Sequence, residues 1–164
     1  MVKRLRPAST GLLVDAPTRL VFTARLRSPV EAVFHELTDD AATTPLWFRE
    51  VRSARYTGPP PYGVGSGRAV VLRGGPRFVE SVLVWQQPER FVYRAESTTL
   101  PGVRAWMEEW LLAPVVEGGT VLRFTMAVDA APALRAALRL SRPAVARAVR
   151  RAAAGLDARS GAHG

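Results

Sequence analysis

The segment VRAWMEEWLL, residues 103 to 112, alternates side chains in the period of two expected of a half-buried strand. If Trp106 and Trp110 point into a core, Glu108 between them does so too. A carboxyl withdrawn from water has its pKa raised toward the range useful for general acid or base work. Under strict alternation Arg104 shares this face, where it could pair with Glu108 or hold a carboxylate or phenolate. Tyr93, in RFVYR, could donate to a ligand carbonyl. Glu108, Arg104 and Tyr93 are therefore the candidate catalytic residues, against the opposing reading that a one-residue slip turns Glu108 to solvent. Trp47, Tyr93, Trp106, Glu108, Trp110, Phe124, Met126 and Leu138 are the candidate lining of a ligand cavity; each, taken singly, could equally fill a core.

Other chemistries find little support. The chain has no cysteine, hence no disulfide and no thiolate, and its two histidines, His35 and His163, are too few for a histidine-rich metal site. No Ser-His-Asp arrangement, phosphate-cradling loop or dinucleotide fingerprint is present, since GVGSG lies between a loop and a strand. Neither metal nor cofactor is expected. His35 is read as an exposed contact of Glu31, and Asp39 and Asp40 as caps of a following helix. The 23 basic residues exceed the 14 acidic ones, for a net charge of +9, yet only Lys3 is lysine in a chain also rich in alanine, glycine and proline. That bias is read as a solvated arginine-rich surface. Arg135, Arg139, Arg142, Arg147, Arg150 and Arg151 near the C-terminus would suit a phosphate-binding face. The absence of stacking aromatics among them argues against sequence-specific nucleic-acid reading and leaves weak anionic-surface binding. The apolar run GLLV is too short for a signal-peptide core, and nothing approaches the roughly 20 apolar residues of a membrane span. The cytoplasm is the expected location, as monomer or homodimer.

These residues need elements to position them. TRLVFTARLR (18 to 27) reads as a strand with Leu20, Phe22, Ala24 and Leu26 on one face. SPVE then reads as a capping box, with Ser28 as N-cap, Pro29 in the first turn and Glu31 reaching back, ahead of a helix with the stripe Val30, Val33, Phe34 and Leu37. AATTPLWF suggests a second short helix. VRSARYTG, RAVVLR, RFVESVLVW and RFVYRAEST read as strands, with GPPPYGVGSG as a loop. A hairpin through QQPE that sets Trp85 against Phe91 puts Val79, Ser81, Leu83, Trp85, Phe91, Tyr93 and Ala95 on one face, and Glu80, Arg94 and Glu96 on the other. A three-residue loop Glu117–Gly118–Gly119 pairs Leu112 with Phe124 and Trp110 with Met126. Trp106, Glu108, Trp110, Leu112, Leu122, Phe124 and Met126 then lie inside, with Glu109, Arg123 and Thr125 outside. From Ala131 a helical period carries Leu134, Leu138, Ser141, Val145, Val149, Ala152 and Leu156. Pro143 predicts a kink or two consecutive segments, with Ser141 capping the second.

In this order SPVEAVFHELTDD with PLWFREV, GVGSGR, VLVWQQPERFVYR and the GGT of EGGTVLRFTM resemble the polyketide cyclase/dehydrase-like branch of the START or SRPBCC superfamily, over residues 20 to about 157. The resemblance implies an α+β helix-grip fold: a curved antiparallel sheet of about six to seven strands, two short helices after the first strand bracing its outer side, and a long kinked C-terminal helix over its concave side. Residues 1–17 would be an N-terminal extension, 18–157 the domain and 158–164 a flexible tail. It further implies an enclosed cavity for a hydrophobic or aromatic small molecule. Two alternatives accompany that reading: a polyketide-type aromatase/cyclase, and a lipid or quinone carrier docking on a membrane or ribosome through the arginine-rich helix.

Overall fold

The computed structural model describes residues 1–162. The elements run β1 (Lys3–Arg4), α1 (Leu12–Asp15), β2 (Thr18–Leu26), α2 (Val30–Thr38), a 3-10 turn (Ala41–Thr43), α3 (Thr44–Trp47), β3 (Val51–Tyr56), β4 (Gly67–Leu72), β5 (Arg77–Gln86), β6 (Arg90–Thr98), β7 (Val103–Pro114), β8 (Thr120–Ala130), α4 (Pro132–Leu140) and α5 (Arg142–Gly161). Seven strands form one antiparallel sheet in the order β2-β8-β7-β6-β5-β4-β3. The first long strand, β2, and the last, β8, are thus neighbours, and the two final helices return across the concave face. This is the α+β helix-grip arrangement. The break at Ser141 divides α4 from α5, with Pro143 in the first turn of α5. Ser141 Oγ donates to Leu138 O, so it closes α4 and provides no side-chain cap for α5.

The two short helices lie on the concave side with α5, not on the outer side. Val33, Phe34 and Leu37 of α2 and Trp47 of α3 share one core with Trp110 and Phe124 of the sheet and with Val149 and Leu156 of α5. Their apolar stripes are best covered where α5 presents a matching one. The convex face is covered instead by the N-terminal segment, whose Ala8 and Leu13 pack on Val92, Met107 and Ala127. Ahead of that cover, the chain is wedged between two strands: β1 pairs with the end of β6, Leu5 N–H donates to Glu96 O, and Arg6 N–H donates to Arg104 O.

The capping box does not form. α2 begins at Val30, and Ser28 Oγ donates to Asp157 of α5, whose Oδ1 also accepts the backbone N–H groups of Arg27 and Ser28. Helix α5 runs on through Gly161, with Ser160 buried and Arg159 paired with Glu36, so residues 158–161 are helical where a flexible tail is expected. His163 and the last residue of that tail lie outside the described residues.

The hairpin register sets Trp85 opposite Phe91. An irregularity between Val82 and Val84 adds one residue to β5 and inverts the alternation upstream of it. Phe78, Glu80 and Val82 therefore face inward, while Val79 is exposed and Leu83 joins the convex cluster. In the β7–β8 hairpin the pairs are Leu112 with Leu122 and Trp110 with Phe124, two residues from the expected register. Val115 N–H donates to Gly119 O, so the three-residue loop is 116–118, with Gly118 at φ 93°. A shift of two keeps every side chain on its face, and Trp106, Glu108 and Trp110 stay inside.

Candidate functional site

Between the sheet and the last two helices lies a cavity of about 250 Å³. Trp47, Tyr93, Trp106, Glu108, Trp110, Met126 and Leu138 are on its wall, together with Phe48, Val70, Phe78, Val145 and Ala148. Phe124 is not on the wall; it is fully buried behind Trp110, with ring centroids 4.6 Å apart.

Polar groups gather on the sheet side of this apolar space. Tyr93 Oη donates to Glu108 Oε2 at 2.6 Å and accepts Trp110 Nε1–H at 3.0 Å. Trp106 Nε1–H donates to Glu108 Oε1 at 3.0 Å. The two links of Tyr93 follow from the β6–β7 register, which sets Tyr93 opposite Glu108 and Phe91 opposite Trp110, and the Trp106 link joins next-but-one neighbours on the same face of β7. Burial pushes the Glu108 carboxyl up, against the opposing pull of its two donors and of Arg68. Tyr93 is pushed well above the ordinary phenol range, by burial first and by the neighbouring Glu108 second.

Arg104 is absent from this group. An irregularity between Val103 and Ala105 breaks the alternation of β7, and the Arg104 guanidinium reaches Asp129 and the carbonyl of Ala130 at the exposed edge. Arg68 of β4 supplies the positive charge inside instead: it is 6% exposed, and its guanidinium carbon lies 4.4 Å from the centre of the Tyr93 ring. Facing it is Glu80 of β5, 8% exposed, with Arg68 Nη1 and Glu80 Oε2 3.7 Å apart. That separation is an ion pair but too long for a hydrogen bond. Arg68 Nε and Nη1 and Glu80 Oε2 have no hydrogen-bond partner, although all three atoms are buried. Burial raises Glu80 to about 7, with Arg68 pulling the other way and Glu108 adding to the rise. Burial alone would lower Arg68, but Glu80, Tyr93 and Tyr56 more than offset it and hold it above its ordinary value.

Sequence reasoning passed over Arg68 and set Glu80 on the face opposite Tyr93, whereas the structure brings both inside. The signal for Arg68 was there, since in GRAVVL it shares its parity with the inward Val70. Glu80 carried no such signal, because the extra residue in β5 that turns it inward leaves no mark on the pattern.

His35 turns to Asp39, 3.1 Å away, and not to Glu31, while Asp40 accepts Ala42 N–H at the start of the 3-10 turn. Several arginines of α4 and α5 are engaged within the protein: Arg139 donates to Pro17 O, Arg142 lies over the Phe22 ring and Arg151 pairs with Glu50. Among the described residues no cluster of three or more ligating side chains could hold a metal ion, and no helix is long and apolar enough to cross a membrane.

Comparison with known proteins bears on this architecture. An uncharacterized protein of Mycobacterium tuberculosis is 32% identical over 136 residues, which cover 83% of this chain and 80% of that protein. Among solved structures, a START superfamily protein from Mycobacterium smegmatis superposes with a TM-score of 0.63 at 12% identity, covering 89% of this chain and 99% of its own. The allergen Ara h 8.0201 gives 0.63 at 10% identity, covering 88% and 98%. At those identities the two structures speak for the fold alone. The family model described as polyketide cyclase/dehydrase and lipid transport matches residues 17–161, from the first long strand to the end of α5, and the chain belongs to that family.

Proposed function

We propose that this protein binds a small, largely apolar ring compound in the cavity between sheet and helices. The observation that carries this reading is the combination of an aromatic-walled space of about 250 Å³ with buried polar atoms that lack partners. Buried donors and acceptors are ordinarily satisfied, and leaving one unmade costs about 1–3 kcal/mol. A ligand hydroxyl would accept from Arg68 and donate to Glu80, and a carbonyl would accept from Arg68, while the rings cover Trp106, Trp110 and Phe78. The space is somewhat smaller than the usual ligand cavities, which run roughly 300–1,000 Å³, and so favours a compact ring system over an extended chain. A fluorescent apolar probe tests this. Trp110→Ala should change its affinity more than Arg123→Ala, whose side chain is exposed on the convex face. Equal effects would contradict the assignment.

One observation favours a second reading, acid–base chemistry of the cyclase or dehydrase kind. Glu80, held at about 7 within the same cavity, can both take and give a proton near neutral pH. In this reading Arg68 polarises a ligand carbonyl and Glu80 moves the proton on the neighbouring carbon. Deuterium exchange at the acidic methylene of a small cyclic β-diketone should be accelerated by the protein and lost in Glu80→Gln. Equal acceleration by the variant would remove Glu80 as the base.

A further inference from the structure

Beside the cavity lies a second, open depression of about 840 Å³, lined by Pro45, Leu46, Arg49, Glu50, Leu72, Arg73 and Arg151. Glu50 and Leu72 also line the inner cavity, so the two spaces adjoin along a shared wall. Their charges differ in kind. The inner cavity holds one guanidinium, Arg68, against the carboxyls of Glu50, Glu80 and Glu108, and has no spare positive charge. An anion entering it would sit among carboxyls in a space of low polarity, which is costly. The outer depression gathers three guanidiniums, from the turn after α3, the turn after β4 and helix α5, around the single carboxyl of Glu50.

Those guanidiniums are available. Arg73 Nε donates to the backbone carbonyl of Arg49, which brings the Arg73 guanidinium beside Arg49 and leaves its terminal nitrogens free. Arg151 Nη2 meets Glu50 Oε1 at 3.2 Å, with the two side chains 53% and 40% exposed. A pair that open contributes little, and an incoming anion can compete for Arg151. Glu50 Oε2 is buried without a partner, so only part of the carboxyl is open to the depression. At the rim, Leu46 is 64% exposed and adds an apolar contact beside the charges.

We infer that the ligand is an amphiphile: a neutral apolar ring body occupies the inner cavity, and an anionic group joined to it, a phosphate or carboxylate, rests outside on Arg49, Arg73 and Arg151. Planar guanidiniums suit both groups, since each offers parallel N–H donors to two oxygens. This inference rests on the cavity-binding reading above. It adds the ligand's charge and the place where that charge sits, and it makes the ligand a single dissolved molecule and not a membrane surface.

The test uses the full chain at about 0.15 M salt, where surface attraction is screened beyond roughly 8 Å, with 2-naphthol and 2-naphthyl phosphate as probes. The phosphate should bind at least tenfold more tightly than the naphthol. The double variant Arg49→Ala/Arg73→Ala should remove that advantage and leave naphthol affinity unchanged, and Arg123→Ala should alter neither. Inorganic phosphate should weaken the binding of naphthyl phosphate and leave naphthol alone. Naphthol binding with no phosphate advantage, or an advantage lost equally in Arg123→Ala, overturns the inference while sparing the cavity reading. Failure of both probes overturns both. Arginine-dependent binding to phosphatidic acid vesicles without binding of naphthyl phosphate overturns the dissolved ligand proposed here.

Discussion

Glu80 and Arg68 meet inside a cavity whose wall is otherwise mostly apolar, and their energetics follow from burial. The folded protein holds Glu80 at about 7, above its ordinary 4.5, so the folded state binds the proton more tightly than the unfolded chain. The stability this confers is complete below about 4.5 and is lost as pH rises through about 7. Glu108, shifted in the same direction, adds a loss of the same sign. Glu80→Gln keeps the shape and removes the titration. Its melting temperature should match the parent near pH 4.5 and exceed it near pH 8, by the equivalent of roughly 1–3 kcal/mol. A variant that tracks the parent at both pH values would show that Glu80 is solvated. Tyr93 is the hub of the other half of the site. Tyr93→Phe strands the buried Trp110 N–H and removes a donor from Glu108, so it should cost about 1–3 kcal/mol in chemical denaturation. A loss well below that range would mean that water replaces the hydroxyl. Glu108 and Tyr93 were legible in the sequence because undisturbed alternation fixes their face. Arg104 and Glu80 were misread for one physical reason: a single extra residue in a strand inverts every face beyond it.

Among the elements, the contact that most shapes the cavity is the one between α5 and the short helices. A side-chain β-carbon at Gly155 would lie 2.9 Å from Trp47 Cα and 2.9 Å from its carbonyl oxygen, backbone atoms that cannot swing away. Helix propensity alone predicts that Gly155→Ala stabilises by up to about 1 kcal/mol. The packing predicts the reverse: destabilisation of about 1–3 kcal/mol and a displaced Trp47, visible in urea denaturation and in tryptophan fluorescence. Stabilisation would mean that α5 and α3 are not in close contact. The same junction explains the missing capping box. Ser28 stands at the right spacing for one, but Asp157 offers it a carboxylate from 129 residues away, a partner that no local pattern reveals. Ser28→Ala and Asp157→Ala should therefore each destabilise by about 1–2 kcal/mol, and their effects should fall short of additive in the double variant, because they remove one shared interaction. Full additivity would show that the two residues act separately.

For the whole molecule, the order of strands and helices was legible because the periodicities of two and of 3.6 alternate clearly along the chain and match the family's order. The path of the N-terminal segment was not. Nothing local in RLRPASTGLL says that Leu5 fills a gap between β6 and β7, or that Leu13 covers the convex face. The side of the sheet taken by the short helices was equally hidden, since an apolar stripe shows that a face is covered without naming what covers it. What the assembled molecule offers is an apolar space with a few polar groups on its sheet side, and the central claim is that a small ring compound occupies it. Ala148, on α5, lines that space and is 8% exposed. The direct measurement is an equilibrium titration of 2-naphthol into the parent protein and into Ala148→Trp, whose indole would fill the cavity, with melting temperatures recorded to show that both are folded. Saturable one-to-one binding by the parent, at least tenfold weaker in the folded variant, is the expected result; equal affinity in the two would place the ligand somewhere other than this cavity and contradict the claim.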